Sequence, residues 1–419
     1  MADAFDVVVV GGGPVGACVA ALLAGQASRH AVPLTVAILE PHRPAFPAPD
    51  ARIDLRVAAF SRASERILGA AGVWQRIAAA RISAYERMRI WHEGVSPRDR
   101  AVLCFDAAEA GEPDLGYIIE TRLVQAALLD AAVAAGVRIY ASEFVALHTS
   151  AERVHIATTD ASLTARLVIG ADGARSPLRS GAGLTAAASD YGQIAIVATV
   201  ATERPHQETA WQRFLSTGTL AFLPLSDGTS SIVWSADEKL AAPLLGASPE
   251  EFARELDRAS DGALGATHLA SERLSFTLQR LAAERYVTER CALVGDAAHV
   301  VHPLAGQGVN LGLLDAATLA ELILEAYDAG EDPGALRVLR RYERWRKSET
   351  EFMRIAIDAF DRLLAHGTGP VAQIAQRGLG WVNQSAELKR FFMSRALGLS
   401  GELPLAARAA QSDRSSLHR

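Results

Sequence analysis

Phe5-Asp6-Val7-Val8-Val9-Val10-Gly11-Gly12-Gly13-Pro14-Val15-Gly16-Ala17-Cys18 carries the reading on which the fold depends. Four successive valines suit a strand covered on both faces, since a half-exposed strand would alternate with polar residues. The glycines end it. Ala17 to Ala27 then reads as an alanine- and leucine-rich helix, and Leu34 to Leu39 as a second buried strand closing on Glu40. Strand, glycine turn, helix and strand make a βαβ unit. Gly11, Gly13 and Gly16 fit G-x-G-x-x-G: the first for a tight turn, the second for close approach of a pyrophosphate, the third for packing helix on strand. An anion belongs at that helix N-terminus, where free N–H groups and the helix dipole favour negative charge. Glu40 stands where a carboxylate accepts a ribose hydroxyl, and a carboxylate rather than an arginine favours an unphosphorylated ribose. The bland alternative is a glycine turn in an ordinary α/β domain. By itself the unit does not separate FAD from NAD.

Working outward, two later stretches repeat the theme of a buried strand ending in glycine and a carboxylate. Ala165 to Ile169 leads into Gly170-Ala171-Asp172-Gly173-Ala174-Arg175-Ser176-Pro177. Cys291 to Val294 leads into Gly295-Asp296-Ala297-Ala298-His299, and from there into His302-Pro303-Leu304-Ala305-Gly306-Gln307-Gly308-Val309-Asn310 and a helix from Val309 to Tyr327. Carboxylates at strand ends suit ribose or ribitol hydroxyls, and a glycine-rich turn before a helix offers N–H groups to a carbonyl that gains negative charge. Between these pieces the pattern favours strands: Arg87 to Trp91, Ile194 to Val200, Thr219 to Leu223 and Ser230 to Trp234. The expected organisation is α/β with two interleaved domains. Residues 1–80, 116–185 and 286–335 form the dinucleotide-binding domain, and 81–115 and 186–285 a β-sheet substrate domain. A helical region follows at 336–400, and then a flexible tail at 401–419.

Taken together, these segments resemble the para-hydroxybenzoate-hydroxylase-like flavoprotein monooxygenases, and within them the ubiquinone-biosynthesis hydroxylases of the UbiH/UbiF group. His302 to Asp315 is similar to that group's signature over its whole length, and Asp54 to Ser61 and Tyr117 to Arg122 to two further stretches. The resemblance implies a Rossmann-like FAD-binding domain of the glutathione-reductase type, FAD as cofactor, NAD(P)H as co-substrate without a second nucleotide domain, and O₂ as oxidant. It also implies roles. Gly11, Gly13 and Gly16 would cradle the pyrophosphate and Glu40 the adenosine ribose. Arg56 and Arg122 would contact the phosphate or ribityl region, while Asp172 and Gly173 would serve both FAD and NAD(P)H. Asp296 would meet the ribityl and pyrophosphate region, and Gly306, Gly308, Val309 and Asn310 the isoalloxazine ring. Pro303 would stiffen the loop beside the flavin's reactive face. Trp211, Phe214, Phe222 and Trp234 fall where the family covers its substrate, although aromatics at strand spacing also serve as plain core. His299 and His302 have two readings, a proton relay near the cofactor or satisfied structural histidines.

The implied substrate is a phenol, most specifically a polyprenylated one; the competing readings are a hydroxylase of small soluble aromatics and a non-catalytic FAD-binding scaffold. Arg213 is the candidate carboxylate-binding residue of the small-aromatic reading. A flavin halogenase is disfavoured because the chain has no W-x-W-x-I-P segment. A net charge of -6 argues against nucleic acid, and three cysteines supply neither a disulfide framework nor zinc-ligand spacing, so no metal is expected. No run approaches the roughly 20 apolar residues of a membrane span, and the N-terminus lacks the basic start of a signal peptide. A cytoplasmic protein is expected, with peripheral membrane contact permitted by a mean hydropathy of +0.12. Leu388 to Arg395 and Arg337 to Lys347 are the candidate contact surfaces, against the alternative of ordinary helix faces.

Overall fold

The computed structural model describes residues 3–27, 32–99, 102–302, 306–364 and 385–408. Asp3–Val10 lies inside an eight-stranded sheet, hydrogen-bonded in parallel to Val36–Leu39 on one side and Ser162–Gly170 on the other. Cys291–Leu293 extends the sheet beyond Ser162–Gly170, again in parallel. Three stretches far apart in sequence thus end side by side, with Val10 level with Leu39 and Gly170, and Gly170 level with Leu293. Their glycine- and carboxylate-bearing turns leave from one edge of the sheet, where open parallel sheets bind ligands.

The valine run is buried because helices cover it. Pro14–Ala27 packs against Thr121–Ala134 and Gln307–Asp328, and residues Ala17 to Leu23 are nearly inaccessible all round. Only small and aliphatic residues permit that, which explains a helix with no polar face.

A nine-stranded sheet forms the second layer, in the order His299–Val300, Leu274–Ala283, Ala186–Thr202, Ser230–Asp237, Gly218–Pro224, Thr209–Leu215, Arg87–His92 and Leu103–Asp106, with Thr267–Leu269 paired at the side. All its pairings are antiparallel except that of Thr209–Leu215 with Arg87–His92. One face packs on Glu238–Gly246 and Pro249–Ser260, burying Phe222, Ile232, Trp234, Phe252 and Leu256. The other face looks toward the glycine turns. Val57–Phe60, Gly116–Glu120 and Ser83–Tyr85 make a small third sheet between the two layers.

Details depart from the expected boundaries. Ser83–Tyr85 belongs to this bridging sheet, and His299–Val300 pairs with Leu281 and Ala282 in the nine-stranded sheet. Residues 401–408, expected to begin a flexible tail, are tied down. Ala407 is buried, Leu405 N–H donates to Glu321 (2.7 Å), and the Trp345 indole donates to the Glu402 carbonyl (2.9 Å). An exposed-looking stretch docks because its backbone groups find partners.

Both candidate membrane surfaces are partly committed to the fold, with Arg340 and Arg344 of the first left exposed. Val338, Leu339, Tyr342 and Arg346 are buried, while Arg337 and Arg341 pair with Glu331 and Glu325. Lys389 is buried on Glu109, and Met393 is core. Among the described residues no helix is long and apolar enough to cross a membrane.

Candidate active site

The first turn is shaped by close backbone approach. Gly11 has φ +98°, and a Cβ there would stand 2.4 Å from the Ala171 carbonyl oxygen. At Gly16 a Cβ would fall 2.0 Å from the Gly11 oxygen. Gly13 differs: a Cβ would meet no atom within 4 Å, and the residue borders a large cavity. Two glycines therefore serve packing, and one leaves space for a guest. Glu40 accepts the Gly12 N–H (2.8 Å) and the His42 N–H (2.9 Å), which orients its carboxylate beside the turn. Each oxygen keeps further acceptor capacity for a hydroxyl. Gln125, unremarked in the sequence, donates to the Gly12 carbonyl (3.0 Å) and holds the turn from the neighbouring helix.

The second turn brings Ala171 and Gly173 to the cavity wall, but Asp172 is directed elsewhere. Its Oδ2 accepts the Leu178 N–H (3.0 Å) in the first turn of the short helix Pro177–Gly181, whose N-cap is Ser176, and burial raises its carboxyl above the usual range despite help from Ser176. Its Oδ1 is buried without a hydrogen bond. The third turn does point inward. Asp296 lines the cavity and is exposed to it, yet protein atoms surround it so closely that burial raises its carboxyl, with His299 opposing.

Gly306 starts the long helix with φ +63°, and a Cβ there would come within 3.0 Å of Ala59. Gly308 would meet nothing, so the helix N-terminus opens on the cavity beside Val309. The Asn310 side chain is committed within the fold. Its Oδ1 accepts Ser61 N–H (2.9 Å) and Ser64 Oγ–H (2.6 Å), and its amide donates to Ala59 and Gly306 carbonyls (2.9 and 3.1 Å). Every hydrogen-bonding position of the side chain is engaged in fastening the Val57–Phe60 strand to the helix start, so a contact with a ring system there would fall to the backbone. Arg56 borders the cavity, whereas Arg122 is exposed at the head of its helix and Thr121 takes the wall position. Pro303 lies outside the described residues.

The cavity has a volume of about 950 Å³ and reaches from Gly13, Gly173 and Asp296 to the nine-stranded sheet. Its far wall is apolar, with Met88, Ile90, Leu103, Phe105, Val197, Val233 and Leu274. Phe352, Met353, Met393 and Leu397 close it from the C-terminal helices, a contribution no motif announced. Its charged wall residues among those described are Arg56, Asp296 and Arg395, and Arg395 is paired with Glu349 (3.1 Å) and stacked on Phe352.

Of the four expected substrate aromatics, Phe214 faces this space with Ile90 and Leu103. Trp211 touches the wall, while its ring lies edge-on to Trp91 and under Arg89. Phe222 and Trp234 are corrections: they project from the opposite face into the helix-covered core. Alternation along a strand decides this, since Ala221, Leu223, Val233 and Ser235 then face the cavity. Arg213 shares that rear face and donates to the carbonyls of Arg258, Ala259 and Glu93. It does not reach the cavity.

Neither His299 nor His302 borders the cavity. His299 Nε2 meets Asp315 Oδ2 at 2.6 Å, and Arg346 Nε meets Oδ1 at 2.8 Å, all deeply buried. Burial alone would raise the Asp315 carboxyl, but His299 and Arg346 override it and hold it below the usual range. His302 contacts the Gln193 side chain (3.0 Å) and lies edge-on to Tyr191. The geometry favours a structural role over a relay for both rings, with His299 held by a buried carboxylate.

The residues fit an FAD. Gly13 and Gly308 leave room, two helix N-termini face one space, and Asp296 reaches into it between them. A single dinucleotide cradle interleaved with a substrate sheet, the two sharing one cavity, defines an FAD-dependent monooxygenase. The chain belongs to the family described as FAD binding domain, which matches residues 4–351; its cofactor is FAD, with NAD(P)H as co-substrate. It is 37% identical over 397 residues to the ubiquinone hydroxylase UbiL of Rhodospirillum rubrum, covering 94% of this chain and 89% of that one. It is 35% identical over 399 residues to the 3-demethoxyubiquinol 3-hydroxylase of Escherichia coli, covering 94% and 98%. Among solved structures, p-nitrophenol 4-monooxygenase PnpA of Pseudomonas putida shares the fold with a TM-score of 0.75 at 19% identity, over 94% of this chain and 98% of that one.

Proposed function

We propose that this protein hydroxylates the ring of a polyprenylated phenol in ubiquinone biosynthesis. One observation carries the reading: a cavity joins the dinucleotide cradle, where Arg56 lies, to a long and mostly apolar wall whose other described cation, Arg395, is already paired with Glu349. A small aromatic acid would leave that wall unfilled and its own charge unpaired. The names of the relatives point the same way. With such a substrate the protein would work at the membrane surface, where the tail resides.

Bound FAD supplies the redox chemistry, accepting electrons from NAD(P)H and activating O₂. The chain's task is placement and exclusion. Gly11 and Gly16 hold the first turn tight, and Gly13 gives the pyrophosphate its seat. Glu40 and Asp296 accept hydroxyl groups, and Arg56 answers negative charge at the cavity wall. N–H groups around Gly308 and Val309 stabilise charge developing on the ring system. Ile90, Leu103, Phe214 and Met353 keep water from the reacting ring and press it into a near-attack geometry. Burial, with Asp114 adding to it, pushes the Tyr85 phenol well up, so it stays neutral at the cavity edge and is no base.

The test is mass spectrometry of quinone intermediates in a strain lacking this protein. Accumulation of a precursor short by one oxygen, reversed when the gene is returned, is the expected result. An unaltered quinone profile, or purified protein that takes up no FAD, would overturn the reading.

A further inference from the structure

The sheet face turned toward the cavity is mostly apolar; apart from the exposed Ser275 near one edge, its polar side chains gather in one place. Gln212, Thr219 and Ser235 all line the cavity, on three neighbouring strands. Thr219 lies directly opposite Ser235, and Gln212 opposite Ala221, two residues along the same strand from Thr219. Facing residues on paired strands have Cβ atoms about 5 Å apart and diagonal ones about 7–8 Å, so the three side chains form one patch. They are only 5%, 5% and 2% exposed. None of the three side chains hydrogen-bonds to another described residue. Behind them the same strands bury Phe222, Ile232 and Trp234, so the patch cannot turn away into solvent.

Three donor–acceptor groups so enclosed are satisfied only by what fills the cavity. When an apolar-tailed guest expels water, each group left unpaired costs about 1–3 kcal/mol. The guest must therefore carry matching polar atoms at that height of the wall. None of the three side chains ionises in the working range, and the sheet's nearby arginine, Arg213, is committed to three carbonyls on the rear face. Among the described residues a carboxylate would find no countercharge there. Hydroxyl, alkoxy and carbonyl oxygens suit groups that both donate and accept.

We infer that Gln212, Thr219 and Ser235 recognise neutral oxygen substituents on the aromatic ring, and so select an oxygenated, uncharged ring over both bare hydrocarbons and aromatic acids. The inference rests on the hydroxylase reading above and adds the ring chemistry and the residues that read it. Contacts of this kind discriminate strongly because the analogue lacking the oxygen leaves buried partners unmade.

The experiment compares two probes with the same tail, 2-methoxy-6-farnesylphenol and farnesylbenzene, titrated into the FAD-loaded protein by flavin fluorescence. Gln212→Met and Thr219→Val keep the wall's volume while removing the polar group. Each is expected to weaken binding of the methoxyphenol about tenfold, to leave farnesylbenzene within twofold, and to leave FAD content unchanged. Variants that keep full affinity for the methoxyphenol, or that lose both probes equally, overturn the inference while the hydroxylase reading stands. Parent protein that binds both probes equally does the same. Parent protein that binds neither, though loaded with FAD, removes the hydroxylase reading and this inference together.

Discussion

Gly11 and Gly13 are two residues apart in one motif, and the geometry assigns them opposite consequences. An alanine at Gly11 would need φ +98° and would press its methyl to 2.4 Å from the Ala171 carbonyl oxygen. That oxygen belongs to a backbone fixed by the Ala171 N–H bond to Val10 (2.8 Å), so little can move. Strain of about 1–3 kcal/mol from the dihedral alone, with the overlap added, should lower the stability of the cofactor-free protein markedly. Gly13→Ala meets no atom within 4 Å and does not have a left-handed φ. It should leave apoprotein stability unchanged or raise it by about 0.4–1 kcal/mol, through reduced freedom of the unfolded chain. Its cost should appear only with FAD. The methyl would occupy the space proposed for the pyrophosphate, and losing one or two charge-assisted hydrogen bonds there is worth about 3 kcal/mol, roughly a hundredfold in Kd. Urea unfolding of the apoproteins and FAD titration by fluorescence quenching separate the two. The reasoning is refuted by a Gly13→Ala protein that binds FAD within threefold of the parent, or by a Gly11→Ala apoprotein as stable as the parent.

Other perturbations follow from the same geometry. Asn310→Ala removes four hydrogen bonds and strands buried backbone groups of Ala59, Ser61 and Gly306, so urea unfolding should show a loss of about 2–4 kcal/mol; a loss below about 1 kcal/mol would contradict its fastening role. Asp315→Asn leaves Arg346 and His299 without their countercharge, at a cost of about 3–5 kcal/mol near neutral pH. Because the folded state depresses the Asp315 carboxyl, its contribution is whole above the usual carboxylate value and fades as pH falls through it; parent and variant stabilities should converge in acid, and parallel curves would rule this out. For Asp296 the shift is upward, so the fold disfavours its charge and acid relieves the apoprotein. If FAD uses the carboxylate as acceptor, as proposed, its binding should instead weaken as pH falls through that raised value. Asp296→Asn should lower FAD affinity about tenfold at pH 8 and flatten its pH profile; a variant that still titrates would point to another group. Arg213→Met should destabilise the fold yet leave Kd for the farnesylated methoxyphenol within twofold, since its guanidinium reaches only rear-face carbonyls; a large loss of probe affinity in folded protein would return Arg213 to the substrate site.

The cradle was legible in the sequence because its physics is local. A strand buried on both faces must be a run of aliphatics, a backbone that passes within contact of another must be glycine, and both demands fall on consecutive residues such as Val7 to Gly11. The same holds for Gly306, whose left-handed φ is written in its residue type. Which side chains face the cavity was not written there. Thr209–Leu215, Gly218–Pro224 and Ser230–Asp237 are buried on both faces, so no polar alternation marks which of them looks at a ligand and which at the helices. Phe222 and Trp234 consequently read like Phe214, and only sheet register against the covering helices separated them. Asn310, Asp172 and His299 fell to tertiary structure for a related reason. A motif states that a polar group is present, but not its partner: Ser61 and Ser64 reach Asn310 from far along the chain, Asp315 meets His299 from the following helix, and even the nearby Leu178 N–H turns Asp172 inward only once the short helix forms. Sequence determined where a dinucleotide is held; long-range packing decided which residues remain free to touch it and the ring beside it, because freedom depends on neighbours that no local pattern names.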